Sequence, residues 1–297
     1  MEINAVIGVN KPKGFTSFDV VAKLRKILKT KKIGHAGTLD PLATGVLPIL
    51  VGKATKLCDL ICDNYKEYVA DFKLGVLTDT LDITGKVLLT SSVSVSKLDI
   101  ENALQKYLGE FYQTVPMYSA VKVNGQKLYN LARKGQEVER PKKLVKISKL
   151  ELKNYDPQAN EGRIIVGCSK GTYIRSLIDD LGKDLGCYAT MINLCRIKSC
   201  GINLTETVTL DELEKAVNEG KFENILLNMD YFLKEYREYN LSLHEKEKFS
   251  HGAILPIADS KFKDQELLRV YYSGQFLGLA KVDLGNQKLK IVKLLIS

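Results

Sequence analysis

The segment "GHAGTLDPLATGVLPI", residues 34–49, places the tightest conformational limits on this chain. It contains three glycines, two prolines, one of the three histidines of the chain and a single carboxylate, Asp40. Glycine permits positive φ and close backbone approach, while Pro41 disfavours the α region for Asp40. The segment therefore predicts a loop followed by a strand. Both an ordinary Asp-Pro turn and a site built around Asp40 fit this pattern.

The rest of the chain alternates between strand and helix patterns. "KEYVADFKLG", residues 66–75, places Tyr68, Ala70, Phe72 and Leu74 on one face at a period of two and predicts a half-buried strand. Further strands are predicted at 142–155 and 162–171. Thr16 and Asp19 have the spacing of a capping box before a helix from about residue 17 to residue 28. Further helices are predicted after the capping residues Ser96, Thr172 and Thr209. Strands joined by tight turns, with helices between them, predict an α+β fold with a mixed, mainly antiparallel sheet flanked by helices.

The sequence changes character from about Tyr239. Short strand patterns are separated there by Ser-Gly and Gly-Asn turns, and no helix pattern is evident. A tail of fewer than about seventy residues has the size of a small β-barrel module. We therefore predict two domains, 1–235 and 236–297, with the boundary inside 228–242.

The composition is that of a globular protein in a reducing compartment. Hydrophobic residues make up 45% of the 297 residues and charged residues 27%. No run of eighteen apolar residues and no signal-peptide pattern is present, so we expect a cytoplasmic protein without a membrane segment. The six cysteines form no Cys-x-x-Cys pair. We therefore expect neither a metal site nor a disulfide framework.

Positive charge is concentrated in residues 122–149. The formal net charge is +9, and nine basic residues lie in this stretch, opposed only by Glu137 and Glu139. Gly125, Gly135 and Pro141 interrupt the stretch, which argues against one long solvated helix. We predict an irregular basic insertion at about 122–149 that contacts a polyanion. The candidate backbone contacts are Lys122, Lys127, Arg133, Lys134, Lys142 and Lys143.

Several ordered motifs resemble those of one enzyme family. "GHAGTLDPLATGVLPI" is similar to the catalytic motif of the TruB-type tRNA pseudouridine synthases. "NKPKGFTSFDVV", "KEYVADFKLGVLTDTLDITG", "QTVPMYSAVKVNGQKLYNLARKG", "CSKGTYIRSLIDDLG" and "LCRIKSCG" resemble further family motifs in the expected order. The tail resembles a PUA domain more weakly. The resemblance therefore covers nearly the whole chain.

The resemblance implies the isomerisation of uridine to pseudouridine in the T-loop of tRNA, at position 55. It implies a base flipped into a pocket around the essential carboxylate of Asp40, and no cofactor or metal. An ionised Asp could attack the base, attack the sugar carbon or remove a sugar proton, and the sequence does not choose among these roles.

The resemblance also assigns roles to residues around Asp40. Arg175 would be the cation that keeps a buried carboxylate charged. Tyr68 would stack on the uracil, Leu194 would form an apolar wall, and His35 would fill the place of the flipped base in the stack. Lys11 and Lys170 are assigned to support of the pocket or to phosphate contacts.

Three other interpretations remain open. The resemblance extends to enzymes that receive their target from a guide RNA complex, although the short N-terminus and the basic insertion favour a stand-alone enzyme. A non-catalytic RNA-binding or RNA-folding protein, or a basic structural protein whose Asp40 lies in a mere turn, would share much of the pattern. For the stand-alone enzyme we expect a monomer that binds the tRNA T-stem-loop, with the tail near the acceptor stem.

Overall fold

The computed structural model describes residues 3–61, 65–257 and 261–296. Cys62, one of the six cysteines considered above, lies outside the described residues. Up to residue 133 the elements are β1 (Ala5–Lys11), α1 (Ser17–Ile27), β2 (Ile33–His35), β3 (Thr44–Val51), α2 (Cys58–Ile61), β4 (Lys66–Leu74), β5 (Val76–Thr78), β6 (Val87–Thr90), α3 (Lys97–Gln105), β7 (Gly109–Thr114), β8 (Lys122–Val123), β9 (Gln126–Lys127) and α4 (Leu128–Arg133). The later elements are β10 (Lys142–Asp156), β11 (Glu161–Cys168), α5 (Ile174–Asp184), β12 (Ala189–Ser199), β13 (Ile202–Asn203), α6 (Leu210–Asn218), β14 (Glu238–Asn240), α7 (Leu243–Ser250), β15 (Leu255–Pro256), β16 (Leu267–Tyr272), β17 (Gln275–Asp283) and β18 (Lys288–Leu294).

A nine-stranded sheet forms the body of the protein. Its strands run in the order β1-β3-β12-β4-β11-β10-β7, with β2 beside β3 and β13 beside β12. All of these pairs are antiparallel except β3 with β12, which run parallel through Thr44 and Gly45 against Cys195 and Arg196. The prediction of a mixed, mainly antiparallel sheet flanked by helices is therefore confirmed.

Helices α1, α3, α5 and α6 share one apolar core with the sheet. Val20 and Leu24 of α1, Ile100 of α3 and Leu177 of α5 are buried there against strand residues such as Phe72. The capping boxes at Thr16, Ser96 and Thr209 are each formed with the acidic residue three positions later. The predicted helix starts at these three residues are confirmed.

The start of α5 differs from the sequence-based expectation. The helix begins at Ile174, and the capping position is held by Tyr173, whose side chain makes no capping hydrogen bond. The Thr172 hydroxyl donates instead to the Ser169 carbonyl at 3.0 Å, and Gln113 bonds to both the N–H and the C=O of Tyr173. The prediction that Thr172 caps the helix was wrong, because the Gln113 side chain of β7 bonds the backbone groups of Tyr173 at the start of the helix.

The basic stretch 122–149 is divided between two structures. Residues 122–133 form the β8–β9 hairpin and α4, which pack on a small apolar cluster of Val115, Leu128 and Leu131. From Lys142 onward the chain is β10, a fifteen-residue strand of the main sheet. Lys142 and Lys143 therefore begin a strand and do not belong to an irregular projection.

The C-terminal part forms a second sheet in the order β14-β16-β17-β18-β15. It is an open, curled sheet with its own core, which contains Phe249, Leu268 and Val282. The expectation of a tail without helices was wrong, since α7 spans Leu243–Ser250 and opens with a Ser242–Glu245 capping box. This helix buries only Phe249, so it carries almost no amphipathic signal in the sequence.

The second sheet also completes a core on the other face of the main sheet. Tyr271, Phe276 and Leu279 are buried in one cluster with residues of β1 and β3, such as Val6 and Leu50. Burying a large apolar side chain contributes about 1.5–3 kcal/mol, and the whole free energy of unfolding of a domain is about 5–15 kcal/mol. The tail therefore stabilises the body.

We expect truncation after Asn240 to lower the melting temperature of the remaining chain by several degrees or to abolish its cooperative transition. The physical reason is the exposure of Val6, Leu50 and their neighbours once the second sheet is removed. Differential scanning calorimetry of the truncated and full-length proteins measures this. Identical melting temperatures would contradict a stabilising contact between the two sheets.

Candidate active site

Asp40 lies in the loop between β2 and β3. The Ala43 N–H donates to the Asp40 carbonyl at 3.0 Å, and the Ala36 N–H donates to the Pro48 carbonyl at 2.9 Å, so the loop is a compact turn. Gly45 has φ +98°, and a Cβ there would lie 2.2 Å from the Arg196 carbonyl oxygen. Only glycine allows β12 to approach the loop this closely. The Asp-Pro turn is real, and it holds a carboxylate whose side chain is 39% exposed.

A cavity of about 930 Å³ opens beside this carboxylate. Its walls come from the Asp40 loop, the first turn of α1, strands β4 and β12, the start of α5 and residues 118–133. The cavity therefore collects segments that are distant in sequence. Such a concave site with a few converging charged groups is typical of a ligand pocket.

Arg175 lies beside Asp40. Its Nη2 is 2.8 Å from the Asp40 Oδ2, and its side chain is only 6% exposed. The guanidinium also donates to the carbonyls of Thr80 at 3.0 Å and Tyr118 at 3.1 Å. These carbonyls fix the fork of the guanidinium, and Asp40 contacts one of its nitrogens.

Asp82 is a second carboxylate near Arg175 that the sequence analysis did not single out. Its Oδ2 lies 3.8 Å from the Arg175 Nη1, and its Oδ1 accepts hydrogen bonds from the hydroxyls of Thr80 and Thr84. Asp82 is 5% exposed and lines the cavity. The only signal in the sequence is its position in "TDTLDITG", downstream of β4.

Tyr68 and Leu194 lie on neighbouring strands and line the cavity. In the register of β4 with β12, Tyr68 is opposite Arg196 and Leu194 is opposite Ala70. Both side chains are buried, with exposures of 7% and 6%. Burial raises the pKa of the Tyr68 hydroxyl and outweighs the opposing effect of the Arg196 cation, so the phenol stays protonated near pH 7.

Two buried cations hold the Asp40 loop from below. The Arg196 guanidinium donates to the carbonyls of Val46 at 2.7 Å, Gly37 at 2.9 Å and Thr38 at 3.4 Å. The Lys11 ammonium donates to the carbonyls of Pro12 at 2.9 Å and Phe15 at 2.6 Å, and it reaches the loop itself at the Pro41 carbonyl, 3.5 Å away. Burial lowers the pKa of Lys11 to about 8.

Lys11 is wholly buried and does not line the cavity, so of its two predicted roles the support of the pocket fits its position better. Arg196 was missed as a site residue, although "LCRIKSCG" contains it. A single Arg in a strand pattern gives no sign of whether it turns into the core or to the surface.

His35 lies at the end of β2 and lines the cavity. Burial lowers the pKa of the imidazole, and the Arg196 cation lowers it further. The imidazole is therefore neutral at pH 7, and its buried Nδ1 has no hydrogen-bond partner. A neutral ring at this place can pack against an aromatic base without adding a buried charge.

Three of the six predicted backbone contacts, Lys127, Arg133 and Lys143, line the cavity, and Lys170 lines it with them. Lys127 and Arg133 flank the Tyr129 ring, with the Lys127 Nζ at 5.4 Å and the Arg133 Cζ at 5.5 Å from its centre. Lys122, Lys134 and Lys142 are exposed but do not line the cavity. The rim of the cavity is therefore strongly positive on the side of residues 122–143.

The described residues can be searched for a metal site and for a membrane-spanning helix. Within residues 3–61, 65–257 and 261–296, no three His, Cys, Asp or Glu side chains are grouped so that they could hold a metal ion. Across the same ranges, no helix is both long and apolar enough to span a bilayer.

Two relatives match the chain over nearly its whole length. A protein of Fusobacterium nucleatum named tRNA pseudouridine synthase B is 43% identical over 96% of this chain and 97% of its own. The protein of the same name from Clostridium acetobutylicum is 42% identical over 99% of this chain and its whole length.

Solved structures share the fold. A chain of an H/ACA ribonucleoprotein bound to a substrate RNA containing 2′-deoxyuridine superposes with a TM-score of 0.75 at 24% identity, over 99% of this chain and 85% of that one. A chain of a Cbf5-Nop10-Gar1 complex gives a TM-score of 0.75 at 26% identity, over 98% of this chain and 85% of the other. The prediction of a pseudouridine synthase fold is confirmed.

Two family models match consecutive parts of the chain. The model of the N-terminal domain of TruB family pseudouridylate synthases matches residues 25–174, which include the Asp40 loop, and ends one residue before Arg175. The model of the C-terminal domain of tRNA pseudouridylate synthase B continues from residue 175 to residue 234. The boundary between the two models falls at Arg175, whose guanidinium contacts Asp40. Because the two models together match residues 25–234, the chain belongs to the TruB family of pseudouridylate synthases.

Proposed function

We propose that this protein isomerises uridine to pseudouridine in tRNA, and that Asp40 is the catalytic residue. The observation that carries the proposal is the contact between Asp40 and the buried Arg175 in a cavity walled by Tyr68 and Leu194. The relatives of this chain that are named tRNA pseudouridine synthase B match 96% and 99% of it, which supports the same activity here.

The reaction needs a charged carboxylate in a site that a base has closed to water. The N1–C1′ bond of the uridine breaks, a C5–C1′ bond forms, C5 loses a proton and N1 gains one, so no electrons are gained or lost overall. An ionised Asp40 can serve as nucleophile or as proton acceptor in such a sequence. The Arg175 guanidinium offsets the solvation that Asp40 loses when the base covers it.

The flipped base would be held between an aromatic ring and an apolar side chain. Tyr68 offers its ring and its protonated hydroxyl from β4, and Leu194 offers an apolar wall from the adjacent strand. Flipping costs a few kcal/mol of unstacking, which contacts with the RNA must offset. His35, a neutral ring at the cavity wall, is suited to fill the gap that the flipped base leaves.

The proposed substrate is the T-loop uridine of tRNA, position 55. The strongly positive rim at Lys127, Arg133, Lys143 and Lys170 suits the phosphates of such a stem-loop. We assign the second sheet, residues 236–297, to contacts near the acceptor stem, as a PUA-like domain, and residues 1–235 to catalysis. We also propose a monomer acting in the cytoplasm, which suits the five described cysteines, all of them free thiols.

One assay separates this function from its alternatives. Purified protein is incubated with a T-stem-loop RNA alone, and pseudouridine is located by carbodiimide modification and primer extension. A stand-alone enzyme gives one stop at the T-loop uridine. A guide-dependent enzyme gives none until a guide RNA complex is added, and a non-catalytic RNA-folding protein binds the stem-loop without forming product.

Asp40→Asn keeps the shape of the side chain and removes its charge. We expect turnover to vanish, while the affinity for the stem-loop changes by no more than about tenfold, which corresponds to about 1.4 kcal/mol. Single-turnover assays and filter binding measure the two quantities. Turnover by the variant, after removal of any wild-type enzyme, would contradict the catalytic assignment.

Arg175→Lys keeps the charge but loses the planar fork. A single ammonium cannot reach Asp40 and the carbonyls of Thr80 and Tyr118 together, so we expect the single-turnover rate to fall at least about tenfold. The matched control is Arg163→Lys, because Arg163 forms an exposed pair with Asp71 and does not line the cavity. Equal rates for the two variants would show that Arg175 is peripheral to the chemistry.

The double variant Lys127→Ala with Arg133→Ala tests whether the basic side chains at the cavity rim contact RNA phosphates. Each lost phosphate contact should flatten the slope of log affinity against log salt by about 0.7–0.9, raise KM and leave the single-turnover rate at saturation nearly unchanged. The control pair is Lys106→Ala with Lys153→Ala, both exposed and absent from the cavity lining. A salt slope identical to that of the control pair would contradict phosphate contacts at this rim.

A further inference from the structure

A second concentration of positive charge lies between the end of α1 and the start of β2. Residues 23–32, "KLRKILKTKK", contain six basic residues and no acidic one. Lys23 is engaged by Asp211 and Glu214 of α6. Lys26, Lys29 and Lys31 are exposed, and within the described part of the chain none of them contacts a carboxylate. Their charges are therefore not neutralised by the protein.

Lys29 occupies a backbone position that usually belongs to glycine. It follows the last turn of α1 with φ +50°, in the left-handed region. Glycine is the usual residue just after a helix because it adopts this conformation without steric cost. A lysine here keeps a positive charge on the turn at some cost to the fold.

The exposed aromatic ring of Phe18 lies on the same helix as Lys26 and lines the cavity. Phe18, in the first turn of α1, is 62% exposed and lines the same cavity as Asp40. The Arg25 guanidinium lies 5.8 Å from the centre of its ring and donates from Nη2 to the Ile33 carbonyl of β2 at 3.3 Å. A flat ring that keeps most of its surface in water, with a cation nearby, is a typical stacking site for an unpaired base.

We propose that Phe18, Lys26, Lys29 and Lys31, termed here the α1–β2 surface, bind the RNA strand next to the flipped nucleotide. Phe18 stacks on one unpaired base, and the three lysines contact successive phosphates. This inference rests on the proposed function and extends it, because it adds an RNA contact away from residues 122–143.

The dimensions of the surface suit a single RNA strand. His35 lines the cavity, and Lys31 precedes it by four residues, which span less than about 13 Å because the Ile33 N–H donates to the Lys31 carbonyl at 3.0 Å and closes a tight turn. One nucleic acid strand presents a phosphate about every 3.4 Å of helix axis, so this separation spans no more than about three to four phosphates. A strand that leaves the cavity past Phe18 would therefore reach the lysines within a few nucleotides.

Lys29→Gly with Lys31→Ser separates a binding role from a structural one. Glycine relieves the left-handed backbone at residue 29, so the melting temperature should stay the same or rise. The slope of log affinity against log salt for the T-stem-loop should flatten by about 0.7 for each lost contact, which is about fivefold in affinity per contact at 0.1 M salt. The single-turnover rate at saturation should stay at the wild-type value.

Phe18→Ala should weaken stem-loop binding by about tenfold without changing the salt slope, because stacking involves no counterion release. Phe18→Tyr should restore the affinity, since it keeps a flat ring. Fluorescence anisotropy at several salt concentrations measures all variants. The matched charge control is Lys106→Ser with Lys153→Ser, which removes two exposed lysines outside the cavity.

The outcomes separate this inference from the proposed function. If the wild type forms pseudouridine in the stem-loop while the Lys29 and Lys31 variant matches the control pair in salt slope and affinity, the α1–β2 surface does not bind RNA and only this inference fails. An unchanged affinity of Phe18→Ala would remove the stacking contact in the same way. If the wild type neither binds nor modifies the stem-loop, the proposed function fails and the inference fails with it.

Discussion

The site depends on the placement of one partly exposed carboxylate among buried cations. Asp40 contacts Arg175, and its loop is hydrogen-bonded to the guanidinium of Arg196 and to the ammonium of Lys11. Burying a cation without a partner is costly, and here backbone carbonyls of the loop and its neighbours take the hydrogen bonds. Because those carbonyls are fixed by the cations, the turn around Asp40 is held in one geometry before any RNA arrives.

The central strands bring this arrangement together. β12 pairs with β4 on one side and runs parallel to β3 on the other, so Leu194 and Arg196 lie between Tyr68 and the end of the Asp40 loop. The contact requires Gly45, where a Cβ would collide with the Arg196 carbonyl. The fold therefore delivers chemical groups from four distant segments to one cavity, and the sheet supplies the rigidity that positioned catalysis needs.

Most of the elements and the residues placed around Asp40 could be predicted from the sequence. Which cations are buried and which are exposed could not. The helices that follow Thr16, Ser96 and Thr209 could be predicted because the capping residue and its acidic partner are three positions apart in the sequence. Helix α7 was not predicted, because it buries only Phe249 and so lacks an apolar stripe. Whether a Lys or Arg turns inward depends on strands that pair over long distances. Arg196 and Asp82 therefore became recognisable as residues of the site only from the assembled fold, as did the full burial of Lys11, which the resemblance had already placed near the pocket.

The cations of this protein fall into two groups that ionic strength affects differently. Exposed lysines and arginines at the rim act through solvent, where 0.1 M salt screens charges beyond about 10 Å. Arg175, Arg196 and Lys11 are buried against carbonyls and Asp40, so salt screens them far less. Salt should therefore loosen the hold on the RNA backbone while the loop keeps its geometry. With the roles proposed for these cations, RNA binding and chemistry would depend on different side chains and could vary independently in one cavity.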